Sequence, residues 1–418
     1  MKAHLITIGN EILIGQTVNT NASFIGEQLN KIQIDLIKST TIGDNDELIM
    51  LALAEASEDA DLIILTGGLG PTHDDITKSC IVRFFDTELV MNEDVLNDVK
   101  AIFKARGRKI TKVNEEQALV PKAAEIMRNS RGTAPGMWIE KDKKIYVVMP
   151  GVPYEMKEMM SATVIPKLEI KMGEKKEFRV IKNLLTTGIP ESILYEKLGD
   201  IDELLEGADL AFLPSQFGVK LRLTVKSESE EETQNKLSEL EQKIRTIAGR
   251  YIYGKDDETL EEVVGRLLVD RGLKIAVAES CTGGLVTHRI TNISGSSAYL
   301  ERGVVAYSNA AKVEELKVDE DLLQKYGAVS LEVARLMAEG VKAISGADIG
   351  ISITGIAGPT GATMDKPVGL VFIGICDDTM CTAKEFRFGN DRVLNKDRSS
   401  QAALDMLRRN LLGIPYDE

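Results

Sequence analysis

Apolar, β-branched runs that stop abruptly at glycine recur along this chain, and they limit its fold more than any other feature. "DLIILTGG" (61–68), "KIYVVMPG" (144–151), "KIAVAESCTGG" (274–284) and "DIGISITGIAG" (348–358) each read as a buried strand that ends in a turn. "HLITIG" (4–9) and "LIKSTTIG" (36–43) extend the series. Helical segments lie between them; in "NDELIMLALAEASEDA" (45–60), Leu48, Leu51, Ala52 and Ala56 fall at helical spacing. Such alternation calls for a mostly parallel sheet covered by helices on both faces.

A chain of 418 residues exceeds one core, since single cores stop growing at about 250–300 residues. We expect an α/β protein of two layered α/β domains, residues 1–171 and 254–418, joined by a small α+β domain over 172–253. In the middle segment Val219, Leu221, Leu223 and Val225 alternate as in a half-exposed strand, and Leu237, Leu240, Ile244 and Ile247 form a helical stripe. The last domain opens on an amphipathic helix, Leu260 to Leu268, that ends at Gly272. A later helix begins at Ser330 as N-cap, with Val333, Leu336, Met337, Val341 and Ile344 facing inward.

Acidic residues outnumber basic ones by 65 to 51, a net charge of -14 that opposes direct nucleic-acid binding. The four cysteines are scattered without CxxC spacing, which suits a reducing compartment and implies no structural zinc. No apolar run is long enough to span a membrane, and the N-terminus carries no cleavage site, so a cytoplasmic protein is expected.

Ser280 sits where the strand in "KIAVAESCTGG" gives way to a helix, so outward-pointing amides at a helix N-terminus would serve an oxyanion there. Gly283 and Gly284 would let a substrate approach the backbone. The plainer alternative makes Ser280 only a helix N-cap. The chain has three histidines, and His288, eight residues on, is about 12 Å along a helix axis and does not reach Ser280. Lysine can replace histidine as the base when burial frees its amine. The candidate is Lys312 in "GVVAYSNAAKVEELK", though taken alone it reads as a solvated helix residue. Ser280, Tyr307 and Thr354 each close or follow an apolar strand in the same sense, so one cleft can gather them.

"AESCTGG", "GSSAYLERGVVAYSNAAK", "GAVS", "TGIAGPTG" and "KPVGLVFIG" resemble the C-terminal domain of the CinA family, the nicotinamide-nucleotide amidase domain of the PncC type. The resemblance implies hydrolysis of the carboxamide of nicotinamide mononucleotide to nicotinate mononucleotide and ammonia, with no cofactor. Ser280 would be nucleophile and Lys312 base, with Tyr307 and Thr354 assisting. Thr282, Gly283 and Gly284 would meet substrate, as would Arg392, or failing that Arg398, from "GNDRVLNKDR".

Nearer the N-terminus, "TGGLGPTHDDIT" follows a strand and precedes a helix, so its amides could face a phosphate or diphosphate. It is neither a Walker pattern nor GxGxxG. The alternative is a tight turn capped by Asp74 or Asp75. With "IGNEILIGQTVNTN", "GTAPGM" and "PGVPYEM" it resembles the N-terminal domain of the CinA family, similar to molybdopterin-binding proteins of the MoaB and MogA type. That implies hydrolysis of ADP-ribose assisted by a divalent metal, cobalt or magnesium, and potassium. Gly67, Gly68, Gly70, Thr72 and Asp75 would line the nucleotide site. Where the family has GDE and VDTN, this chain has "GNE" and "VNTN", so Asn10 and Asn19 replace carboxylates. Glu11, Asp74 and Asp75 are left as candidate metal ligands.

The middle domain resembles the family's KH-like linker, without a clear GxxG clamp or basic surface. Its expected role is structural coupling, and the family implies a homodimer. Two other readings compete with the enzyme: a nucleotide- or pterin-binding regulator with a vestigial C-terminal site, and a competence factor acting on DNA, which the acidic balance opposes.

Overall fold

The computed structural model describes residues 1–72, 75–173 and 178–416. It divides into two compact units, Met1–Lys175 and Lys176–Glu418, both mixed α/β. In the first, a six-stranded sheet runs Asp35–Ile42, Lys2–Ile8, Leu62–Thr66, Lys144–Met149, Gly136–Lys141 and Glu125–Met127 in spatial order. The first four strands are parallel. The last two are antiparallel. Successive residues point to opposite faces, so Leu5 packs with Ile25 and Leu29 of the helix Thr20–Lys31 while Ile6 packs with Ile49 and Leu53 of the helix Asp46–Asp59.

Asn45 caps that second helix, its side chain accepting from the Leu48 amide at 3.1 Å. Its inward face differs from the expected one. Ile49, Ala52, Leu53 and Ala56 are buried, whereas Leu48 and Leu51 are 45% and 66% exposed. Six apolar residues in succession, Leu48 to Leu53, blur the period, and packing on the sheet selects the stripe.

The second unit begins with a four-stranded antiparallel sheet, in order Asp209–Pro214, Val219–Ser227, Phe178–Thr186 and Ile252–Lys255. Val219, Leu221, Leu223 and Val225 are buried against Leu237, Leu240 and Ile244 of the helix Glu230–Ala248. Ile247, placed on that stripe by spacing, is instead 41% exposed.

A five-stranded sheet follows, in order Leu300–Val305, Ile275–Glu279, Ile349–Gly355, Leu370–Cys376 and Cys381–Arg387. The first three strands are parallel and the last two antiparallel. Helices Leu331–Ser345 and Arg392–Leu412 pack against this sheet. Glu279 is level with both Val305 and Ile353, so three parallel strands end together and their following residues share one edge.

The hairpin register also sets Cys376 opposite Cys381, Cα atoms 4.0 Å apart, and they are joined as a disulfide. Two of the cysteines read from the sequence as scattered are thus brought together by the hairpin. Cys80 and Cys281 are free and buried. Among the described residues no helix is long and apolar enough to cross a membrane.

The revised helix face is directly testable. Leu53→Ala should destabilise the N-terminal unit by about 2–5 kcal/mol through the cavity it leaves, and Leu51→Ala by no more than about 0.5 kcal/mol. Urea unfolding of the two variants separates these outcomes.

Candidate active site

Ser280 directly follows the strand Ile275–Glu279, and its amide donates to the Ile353 carbonyl of the neighbouring strand at 2.9 Å. The helix expected at this point starts only at Leu285, after a turn in which Gly283 and Gly284 take φ of 62° and 95°. Gly284, rather than Ser280, occupies the N-cap position. Both expectations for Ser280, as helix cap and as neighbour of free helix amides, are therefore corrected.

The reason is Glu279. Fully buried, its carboxylate accepts from the amides of Gly284, Val286 and Thr287 at 3.0, 3.1 and 2.8 Å, and from the Thr287 hydroxyl at 2.8 Å. An anion at the helix N-terminus thus satisfies the donors that were expected to face a substrate. Beyond the Cys281 amide's contact with its own thiol, the amides of Cys281 and Thr282 find no acceptor among the described residues. They are the turn's remaining donors beside Ser280. Sequence reading missed Glu279, although an acid at the end of an otherwise apolar strand was its signal.

Lys312 lies on the helix Asn309–Leu316, which Ser308 caps by accepting from the Ala311 amide at 3.0 Å. Its side chain turns inward and is 1% exposed, so the solvated reading fails. Nζ stands 3.0 Å from Ser280 Oγ and donates to the Ala306 carbonyl at 2.9 Å. Desolvation holds the Lys312 pKa below the ordinary lysine value, offset in part by Cys281. No carboxylate forms an ion pair with it among the described residues, so desolvation outweighs what favours the ammonium.

Around this pair, Tyr307 is 60% exposed, and its Oη accepts from Arg392 Nη2 at 3.1 Å. Arg392 Nη1 donates to the Gly358 carbonyl at 2.6 Å. Thr354 follows the residue that receives the Ser280 amide, but its hydroxyl donates to the Ala328 carbonyl at 2.7 Å. The Thr282 hydroxyl is buried without a partner. Lys396, which was not anticipated, brings Nζ to 3.8 Å from the position a Gly283 Cβ would occupy. Arg398 lines a different cavity and does not join this group. His288 is exposed, with Nε2 3.3 Å from Asn292 Nδ2, as expected of a surface residue.

In the N-terminal unit, Glu11, Asn19, Gly67, Gly68, Gly70 and Asp75 help line a cavity of about 510 Å³. Thr72 is not part of its wall, and its amide and hydroxyl instead donate to the Asp75 carboxylate. Asp75 is not a helix cap either, because Ile76 holds that position without a side-chain bond. Asp74 lies outside the described residues. Gly67 has φ of 107°, and a Cβ there would come within 2.1 Å of the Ile8 carbonyl oxygen. Asn19 is committed to structure, its side-chain oxygen accepting from the Ala22 amide at 3.0 Å and its Nδ2 donating to the Thr7 hydroxyl. Asn21 Oδ1 is buried without a partner among the described residues. Among the described residues, which leave out Asp74, no three His, Cys, Asp or Glu side chains gather as a metal site.

The CinA C-terminal domain family matches residues 257–411. The damage-inducible protein CinA KH domain matches 181–254, and the probable molybdopterin binding domain matches 4–170. A relative from Caldicellulosiruptor saccharolyticus, named for competence-damage induction, is 46% identical over 412 residues, covering 99% of this chain and 100% of its own. The chain belongs to the CinA family. A CinA-like protein from Chloroherpeton thalassium is 45% identical over 420 residues, 98% of this chain and 99% of its own. A crystal structure of a CinA protein of unknown function from Thermoplasma acidophilum shares 35% identity over 39% of this chain and 95% of its own, with a TM-score of 0.36.

Within this CinA chain, Cys281 is buried beside the nucleophile candidate, and desolvation pushes its thiol up to about 12. A thiol that high carries almost no thiolate at pH 8. Iodoacetamide at that pH should leave Cys281 unmodified in the native protein and alkylate it after denaturation, as read by peptide mass spectrometry. Native labelling at a rate like that of a free thiol would contradict the burial.

Proposed function

We propose that the C-terminal domain is a serine–lysine amidase that hydrolyses the carboxamide of nicotinamide mononucleotide. The observation that carries this reading is the 3.0 Å approach of the buried, unpaired Lys312 Nζ to Ser280 Oγ. A neutral amine there accepts the hydroxyl proton as Oγ attacks the amide carbon. The amides of Cys281 and Thr282 receive the oxyanion. The Lys312 ammonium then gives its proton to the leaving nitrogen, ammonia departs, and an acyl ester remains on Ser280. Water attacks the ester, with Lys312 again taking the proton, and nicotinate mononucleotide leaves. Tyr307 and Arg392, joined at 3.1 Å, are suited to the substrate's phosphate. Lys396 is a second cation beside the same turn.

The domain's test is ammonia release by the full chain. Ser280→Ala and Lys312→Ala should each lower the rate by at least about 10²-fold without loss of folded structure. Wild-type turnover by Lys312→Ala would reject the assignment. Burial depresses the Lys312 pKa, so the neutral base grows as pH rises through that lowered value. The ascending limb of kcat/KM should therefore lie below about 10.4, the ordinary lysine value. Lys312→Arg, charged across this range, should remove it.

A second reading concerns the N-terminal unit, and the unpartnered Asn21 oxygen beside the glycine-lined cavity favours it. We propose that this cavity binds a nucleotide diphosphate such as ADP-ribose. Hydrolysis there is a separate matter, because no cluster of metal-ligating side chains forms among the described residues. ADP-ribose should bind in equilibrium dialysis, with AMP release in cobalt or magnesium increased by the double change Asn10→Asp and Asn19→Asp. Absence of binding would reject this reading.

A further inference from the structure

The second unit contains a cavity of about 490 Å³ that the serine–lysine chemistry does not use. Neither Ser280, Tyr307, Lys312 nor Arg392 lines it. Its floor is one face of the helix Arg392–Leu412, bearing Arg398, Gln401, Asp405 and Arg409. At 3.6 residues per turn, six steps place Arg398 about 240° around this helix from Arg392. The two arginines therefore serve different surfaces. The opposite walls come from the Thr187–Pro190 turn and the 215–218 turn of the small antiparallel module, and from the edge strand Cys381–Arg387.

Four cations, Lys384, Arg387, Arg398 and Arg409, face one carboxylate, Asp405, around this space. Asp405 is already taken by Arg408 and Arg409, each at 2.8 Å, and Arg387 pairs with Glu385 at 2.6 Å, which leaves Lys384 and Arg398 with no carboxylate partner among the described residues. Arg398 has no hydrogen bond or ion pair among the described residues. In a chain of net charge -14, this is a local concentration of positive charge. Aromatic surface adjoins it: Phe386 and Phe388 stack with ring centroids 6.0 Å apart, and Phe217 and Tyr416 complete the apolar part. Tyr416 Oη is buried with no acceptor for its proton among the described residues, and desolvation keeps it protonated, its pKa pushed up to about 12 against a smaller lowering by Asn410. It is a donor without an acceptor at the cavity wall.

We propose that this cavity is a second ligand site, for a phosphorylated compound with a flat aromatic ring, of mononucleotide size. Arg398 and Arg409 hold the phosphate, the phenylalanines take the ring, and Tyr416 Oη donates to a polar atom of the ligand. The volume suits such a molecule, since small-ligand pockets span about 300–1,000 Å³. The site rests on residues distinct from the proposed amidase machinery, so either can fail without the other.

Hydrogen exchange of the full chain, read by mass spectrometry with AMP as probe, tests the site. AMP should protect the Cys381–Arg387 strand and the 398–409 stretch, whereas adenosine or inorganic phosphate alone at equal concentration should protect them less. Arg398→Gln, at a half-buried position with no partner, should fold as the wild type does and weaken that protection by about tenfold or more in AMP concentration. No protection of these segments by millimolar AMP would overturn the proposal, as would protection unchanged in Arg398→Gln. Protection by phosphate equal to that by AMP would overturn the aromatic half of the ligand assignment. Exchange in the wild type localises binding without any variant, and protection of the first unit does not substitute for it.

Discussion

Everything at the candidate active site depends on a lysine amine taken out of water with no carboxylate to compensate it. Burying a charge is costly, and an unpaired buried lysine lowers that cost by giving up its proton. The fold imposes the burial on Lys312 through a short helix whose cap fixes its start and whose inner face turns Nζ toward Ser280. The Ala306 carbonyl takes one N–H and so orients the amine. The position is structurally expensive and chemically useful for the same reason.

Glu279 plays the complementary part. Four hydrogen bonds to its carboxylate tie the turn after Ser280 to the start of the next helix. With those donors consumed, the amides of Cys281 and Thr282 remain at the nucleophile's side. Rigid geometry in the turn is thus provided by a buried anion and by two glycines at positive φ. The parallel register of three strands, level at Glu279, Val305 and Ile353, brings the other groups to the same edge.

Much of this was legible in the sequence, and the failures have physical causes. Buried strands announced themselves because both faces are apolar, and the cap at Ser330 follows from local chemistry. The pairing of Ser280 with Lys312, 32 residues apart, could be framed by elimination because histidine is scarce. Glu279 was missed because its partners lie five to eight residues on, in a turn whose path no periodicity reveals. The face of the helix Asp46–Asp59 was misplaced because a continuous apolar run has no distinct stripe. The strand Cys381–Arg387 and its disulfide escaped because an edge strand of mixed polarity carries a weak signal. The cationic cavity joins segments from Thr187 to Tyr416, and only the folded chain assembles it.

The most direct measurement is the titration of Lys312 itself, followed by the Cε and Nζ chemical shifts of isotope-labelled lysine in the intact protein, with Lys312→Met to assign the signal. The account predicts one lysine that loses its charge well before the others as pH rises and whose signal vanishes in that variant. If Lys312 instead stays protonated through the range of the surface lysines, the amine is not the base that Ser280 requires, and the central claim is wrong.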